Sequence, residues 1–175
     1  MYSKKPQVKK KRQGAADRQR LQSEKWPIHE CMINPSWKTS DLATILISRR
    51  QPNGNLTFGV YLVDILCLGL KNTYCNIDFT PARYETEVRP RLTPNEVPVD
   101  CPVSLAHGII YGAIDYARRF GFPPQADFKL SQYVLEPREE VEPCEPIVFG
   151  KDGKPCHIPG PDNDSDRISW TSTTR

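Results

Sequence analysis

The chain has 175 residues, 38% of them hydrophobic, and carries 24 Lys/Arg against 21 Asp/Glu, a formal net charge of +3. That length suits one domain with a full hydrophobic core and is too short for two typical domains plus tails. No stretch approaches the roughly 20 apolar residues of a membrane-spanning helix, and Gln, Asp and Glu follow the basic start where a signal peptide would be apolar, so a cytoplasmic protein without a membrane partner is expected.

The charge is unevenly distributed. Residues 1–25 hold nine basic side chains (Lys4, Lys5, Lys9, Lys10, Lys11, Arg12, Arg18, Arg20 and Lys25) against two acids, Asp17 and Glu24, a local net of +7. The other 150 residues carry 15 basic and 19 acidic side chains and are net negative. With few aliphatic residues to bury, this segment reads as a disordered basic arm seeking a polyanion.

Order is expected from Trp26, in a core domain over 26–135. A strand runs through Pro27–Ile33, and Asn34-Pro35-Ser36-Trp37 reads as a turn. Strands Leu42–Arg50 and Leu56–Leu66 flank Pro52-Asn53-Gly54-Asn55, the pattern of a β-hairpin. In the second of them both faces are apolar, which places it inside a sheet.

Residues 76–101 contain four prolines and read as a connecting excursion, broken only by a short helix around Ala82–Val88. From Pro102 to Phe120 the apolar residues recur at helical spacing, Arg118 and Arg119 suit the negative end of the dipole, and Gly121 is the stop. Gly108 and Gly112, each costing about 1 kcal/mol relative to Ala in a helix interior, are expected to permit close helix-to-sheet approach.

Beyond a short element at Phe128–Leu135, residues 136–146 form an acidic, Pro-rich linker, 147–159 a terminal β-hairpin around Lys151-Asp152-Gly153, and 160–175 a disordered polar tail. The fold expected is α+β: a small antiparallel sheet covered on one face by one long helix.

PIHECMINPSW (27–37), FGVYLVDILCLGLKN (58–72), AHGIIYGAIDYARRFGF (106–122) and FGKDGKP (149–155) together resemble an uncharacterised conserved bacterial domain found in hypothetical proteins. The resemblance covers roughly residues 27–158 and implies a bacterial cytoplasmic origin. It implies no activity and no catalytic residue.

Binding of nucleic acid, RNA or a ribonucleoprotein above all, is the leading expectation, with the arm as a non-enzymatic anchor and Arg49, Arg50 and Lys71 extending the basic surface onto the body. Tyr61, Tyr74 and Trp37 are candidates for base stacking. No RNA-recognition strand signature, zinc finger or helix-turn-helix pattern accompanies them, so recognition of backbone or shape is the claim.

An enzymatic alternative rests on Asp64, a carboxylate in an apolar strand, and on His107, Tyr111, Asp115 and Arg118, which share one stripe of the long helix. Asp64, His107 and Asp115 around a divalent metal would make a nuclease or other hydrolase, the only reading that needs a cofactor. The structural account of Asp64 is a strand end whose carboxylate accepts backbone hydrogen bonds from the loop leading to Gly69.

His29 and Cys31, two apart on a strand, are the weak metal-ligand candidates. Six cysteines without a regular framework read as reduced thiols. A third reading is a protein-interaction module that uses the acidic linker and the basic arm.

Overall fold

The computed structural model describes residues 25–157. The basic arm up to residue 24, residues 158–159 of the expected terminal hairpin and the tail 160–175 lie outside the described residues.

Five antiparallel strands form one sheet: β1 (Ile28–Ile33), β2 (Leu42–Arg50), β3 (Leu56–Asp64), β4 (Gly69–Phe79) and the two-residue β5 (Val99–Asp100). Their order is β4-β3-β2-β1-β5. The β2–β3 hairpin forms where the sequence predicts it, in unbroken register from Leu42↔Asp64 to Arg50↔Leu56, its second strand ending at Asp64 and not at Leu66 because the chain turns there. Gly54 supplies the positive φ of +86° at its turn.

Strand β4 is an element the sequence reading lacks, because two irregularities hide its alternation. Its register against β3 shifts between Leu62 and Val63 and again between Leu56 and Phe58. Each extra residue on β4, Lys71 at one end and the Ile77-Asp78 step at the other, reverses which face the next side chain takes. Asp78 accordingly adopts a left-handed φ of +65°.

The long helix α3 (Val103–Arg118) covers one face. It packs Ala106, Ile109, Ile110, Ala113 and Ile114 against Ile33, Ala43, Ile45, Ile47, Tyr61 and Val63. Pro102 caps it from outside the first turn, and Gly121 ends it at φ +83°. Close approach to the sheet depends on Gly69, whose φ is +66°: a Cβ there would lie 2.7 Å from the Ala113 carbonyl oxygen. Gly108 and Gly112 serve a different contact. They open the other side of α3, where a Cβ on Gly112 would lie 2.6 Å from the Phe149 ring.

The second sheet face is covered as well, a layer the sequence expectation omits. Helix α2 is continuous from Pro81 to Leu92, through an α-turn Pro81–Arg83, a π-helical segment Tyr84–Val88 and a last turn Arg89–Leu92. Thr80 caps its start by accepting from the Arg83 N–H at 3.4 Å. The π-turn widens the helix just ahead of Pro90, whose ring would otherwise press on the carbonyl four residues back. Tyr84, Val88 and Leu92 complete a second core with Met32, Leu46, Leu56, Phe58, Val60 and Phe79.

Helix α1 (Trp37–Ser40) bridges β1 and β2, and α4 (Phe128–Ser131) follows α3. α4 is fastened to the sheet because Tyr61 Oη donates to the Ser131 carbonyl at 2.8 Å and Thr73 Oγ1 donates to Ser131 Oγ at 2.8 Å. The expected terminal hairpin reduces, among the described residues, to one bridge, Lys151↔Lys154. Residues 144–149 instead form a strap over the outer side of α3, returning to the β3–β4 turn through Gly150 N–H to the Ile65 carbonyl at 3.0 Å.

Candidate nucleic-acid interface

Arg49 organises the chain between α4 and the strap. Its side chain is only 6% exposed, against the expectation that it extends a basic surface. Nε donates to the Val134 carbonyl at 2.7 Å, Nη1 to the Trp26 carbonyl at 2.7 Å, and Nη2 to Glu136 Oε1 at 2.8 Å. Both faces of β2 are covered, so an Arg in that strand must bring its own acceptors inside. Burial alone would push the Glu136 carboxyl upward, but the hydrogen bond and charge of Arg49, with Lys25 and His107 adding, hold it below the ordinary range. Arg49 is therefore a structural clamp and cannot contact phosphate. Arg50 points to the opposite sheet face, is exposed, and lies 3.2 Å from His29 Nδ1.

Three residues of the predicted helical stripe do one job together. His107 is 1% exposed. Its Nδ1 donates to the Val103 carbonyl at 2.9 Å, which makes Nε2 the acceptor for the Glu136 N–H at 3.0 Å. Tyr111 stacks on the His107 ring. Arg138 lies 4.5 Å over the Tyr111 ring and grips Asp115 with two bonds of 2.8 and 2.9 Å. The segment expected to be a linker is thus pinned along α3.

Burial holds the His107 ring below its usual pKa. The unfolded chain, with an ordinary His near pH 6.5, then binds the extra proton first. Stability is expected to fall as pH drops through about 6.5 and to level off below the native pKa, a slope that His107→Gln should flatten. Urea midpoints measured at about pH 7.5 and 5.5 would read it; identical slopes in the two proteins would contradict it.

Asp64 is occupied in the same structural manner. Its Oδ1 accepts from the N–H groups of Leu66 (2.9 Å) and Cys67 (3.1 Å), and Oδ2 from Leu68 (3.2 Å), which shapes the β3–β4 turn. Asp64, His107 and Asp115 each answer to different partners, and no group of three or more His, Cys, Asp or Glu side chains among the described residues is arranged to hold a metal. His29 and Cys31 are separated too. The β1 register shifts between Ile28 and Glu30, so His29 stands beside Tyr84 on the α2 side while Cys31 enters the α3 core.

The predicted stacking residues also scatter. Tyr61 is fully buried, whereas Tyr74 is 48% exposed on the α2 face against Phe58. One concavity, about 530 Å³, lies between the second half of α3 and residues 128–139. Tyr111, Phe128 and Tyr133 supply aromatic wall, Gln132 a polar edge, and Lys25, Arg118 and Arg138 the cations at its border. No family model, curated protein or solved structure matches this chain.

Two acids, Glu136 and Glu139, also line the groove, and the first is neutralised by Arg49. Lys25 pairs with Glu140 and Arg138 with Asp115. Arg118, exposed on the last turn of α3, makes no side-chain hydrogen bond or ion pair with the described residues. Arg138, Tyr133 and Gln132 were not legible as site residues: nothing in the sequence around Arg138 signals a partner 23 positions away. Among the described residues no helix is long and apolar enough to cross a membrane.

Proposed function

We propose that this is a non-enzymatic nucleic-acid-associated protein, acting on RNA or a ribonucleoprotein, with the basic arm as its electrostatic anchor. The observation that carries the reading is where the arm meets the fold. A segment of net +7 ends at Lys25, and Lys25 borders the groove that holds Arg118 and the aromatic wall. Backbone phosphates tracked by the arm would be delivered to a surface offering the exposed Arg118 guanidinium and the partly exposed Tyr133 ring, a combination that suits an unstacked base.

The hydrolase alternative loses its support because Asp64 and His107 would have to abandon the backbone groups they now satisfy. The bacterial, cytoplasmic setting rests on the sequence resemblance.

The test is fluorescence anisotropy with a labelled single-stranded RNA and the DNA of the same sequence. Arg118→Ala in the full chain is expected to weaken RNA binding and to lower the slope of log K against log salt by about 0.7. Unchanged affinity and slope would remove the groove from the reading, and no binding of either strand at about 50 mM salt would remove the reading itself.

A further inference from the structure

Cys31 and Cys101 face each other across the short β1–β5 pairing. The register Met32↔Asp100 and Ile33↔Val99 places them opposite, and the Cys101 N–H donates to the Cys31 carbonyl at 3.0 Å. Their sulfurs are 3.5 Å apart with both thiols free. Directly opposed residues of an antiparallel pair have Cα separations of about 4.5–5.5 Å, inside the range a disulfide spans. Closing the bond thus needs side-chain rotation and no movement of the sheet.

The two thiols are also unlike. Cys31 is 6% exposed within the α3 core, whereas Cys101 is partly exposed on the connection between β5 and α3. The hydrogen bond to Cys101, with burial, pushes the Cys31 thiol up; the same hydrogen bond holds Cys101 below its ordinary value. Cys101 is thus the more acidic of the two thiols, the one that ionises more readily, with the Cys31 sulfur in hydrogen-bond contact beside it. A more accessible, more acidic thiol beside a protected one is the arrangement of an attacking and a resolving cysteine.

We propose that Cys101 and Cys31 form a peroxide-responsive dithiol, with Cys101 as the oxidised thiol and Cys31 as its resolving partner. The Cys101 thiolate attacks one oxygen of hydrogen peroxide. The O–O bond breaks, hydroxide departs and is protonated to water, and Cys101 becomes a sulfenic acid. Cys31 sulfur then attacks Cys101 sulfur: the S–S bond forms, the S–O bond breaks, and the departing hydroxide takes the Cys31 proton as a second water. Two thiols have given up two electrons and one peroxide has become two waters. The disulfide ties β1 to the entrance of α3 and encloses β2, β3, β4 and α2 in one covalent loop.

The test treats the reduced full-length protein with stoichiometric hydrogen peroxide, blocks remaining thiols by alkylation and maps the peptides by mass spectrometry. Expected is a loss of about 2 Da, one crosslinked peptide joining Cys31 to Cys101, and reversal by dithiothreitol. Thermal unfolding should shift upward by at least about 5 °C in the oxidised form, because the unfolded chain then carries a closed loop.

Cys31→Ala should leave a Cys101 sulfenic acid that dimedone traps, and Cys101→Ser should form no disulfide at Cys31. Crosslinks that instead join Cys67, Cys75, Cys144 or Cys156, or peroxide leaving Cys101 reduced in the wild-type protein, would overturn the assignment. The wild-type measurements stand even where a variant folds poorly.

Discussion

Removal of residues 1–24 is expected to take away most of the affinity for RNA and nearly all of its salt dependence. The segment carries eight Lys/Arg. With six to eight of them each neutralising one phosphate of a single strand, log K falls by about 0.7 per contact per decade of salt. A fourfold rise in salt should then weaken the intact protein roughly 300- to 2,000-fold.

The truncated protein should keep a slope of at most about 0.7, the single contact of Arg118, because residues 25–157 carry 14 basic and 16 acidic side chains and offer no net attraction. Parallel slopes for the two proteins would locate the polyanion contact on the folded body and defeat the anchor role. The measurement needs a salt series, since a single Kd mixes this electrostatic term with contacts made in the groove.

Arg49→Met should cost about 2–4 kcal/mol of stability, among the largest effects of any single substitution here. The methionine fills the volume but leaves the Trp26 and Val134 carbonyls and the Glu136 carboxylate without their donor. Glu136 retains some access to water, which keeps the loss below that of a fully buried pair. Arg49→Lys should recover little, since one ammonium cannot reach three acceptors spread around a planar fork. Urea unfolding would measure both; a loss under about 1 kcal/mol for Arg49→Met would mean the cluster behaves as a surface ion pair.

Arg49 also marks where the sequence stops being readable. The β2–β3 hairpin and α3 are legible because their signals are local: a turn glycine between alternating strands, and helical spacing ended by a glycine. Strand β4 is obscured by residues that break the period of two, and α2 by prolines that a π-turn accommodates. Arg49 and Arg50 look equivalent as neighbours in the chain, yet strand geometry sends one into the interior and the other to solvent. What decides the fate of Arg49 is Val134 and Glu136, 85 and 87 positions away.

The candidate site divides in the same way. Arg118 belongs to the helical stripe that the sequence displays, whereas its companions Tyr133 and Gln132 become neighbours only once residues 128–140 fold back. Asp64 was readable as a loop organiser because its spacing to Gly69 is itself local.

The sheet order β4-β3-β2-β1-β5 has a consequence for the way the chain assembles. The strands β1 to β4 are sequential neighbours in space, so each pairing closes a short stretch of chain. Short closures are entropically cheap and fast. The contacts that finish the molecule, β5 on β1 and the strap on α3, span far longer separations and have a surface to dock on only after the meander exists. The protein can thus build from its middle outward, completing the groove and the mouth of the arm as its last act.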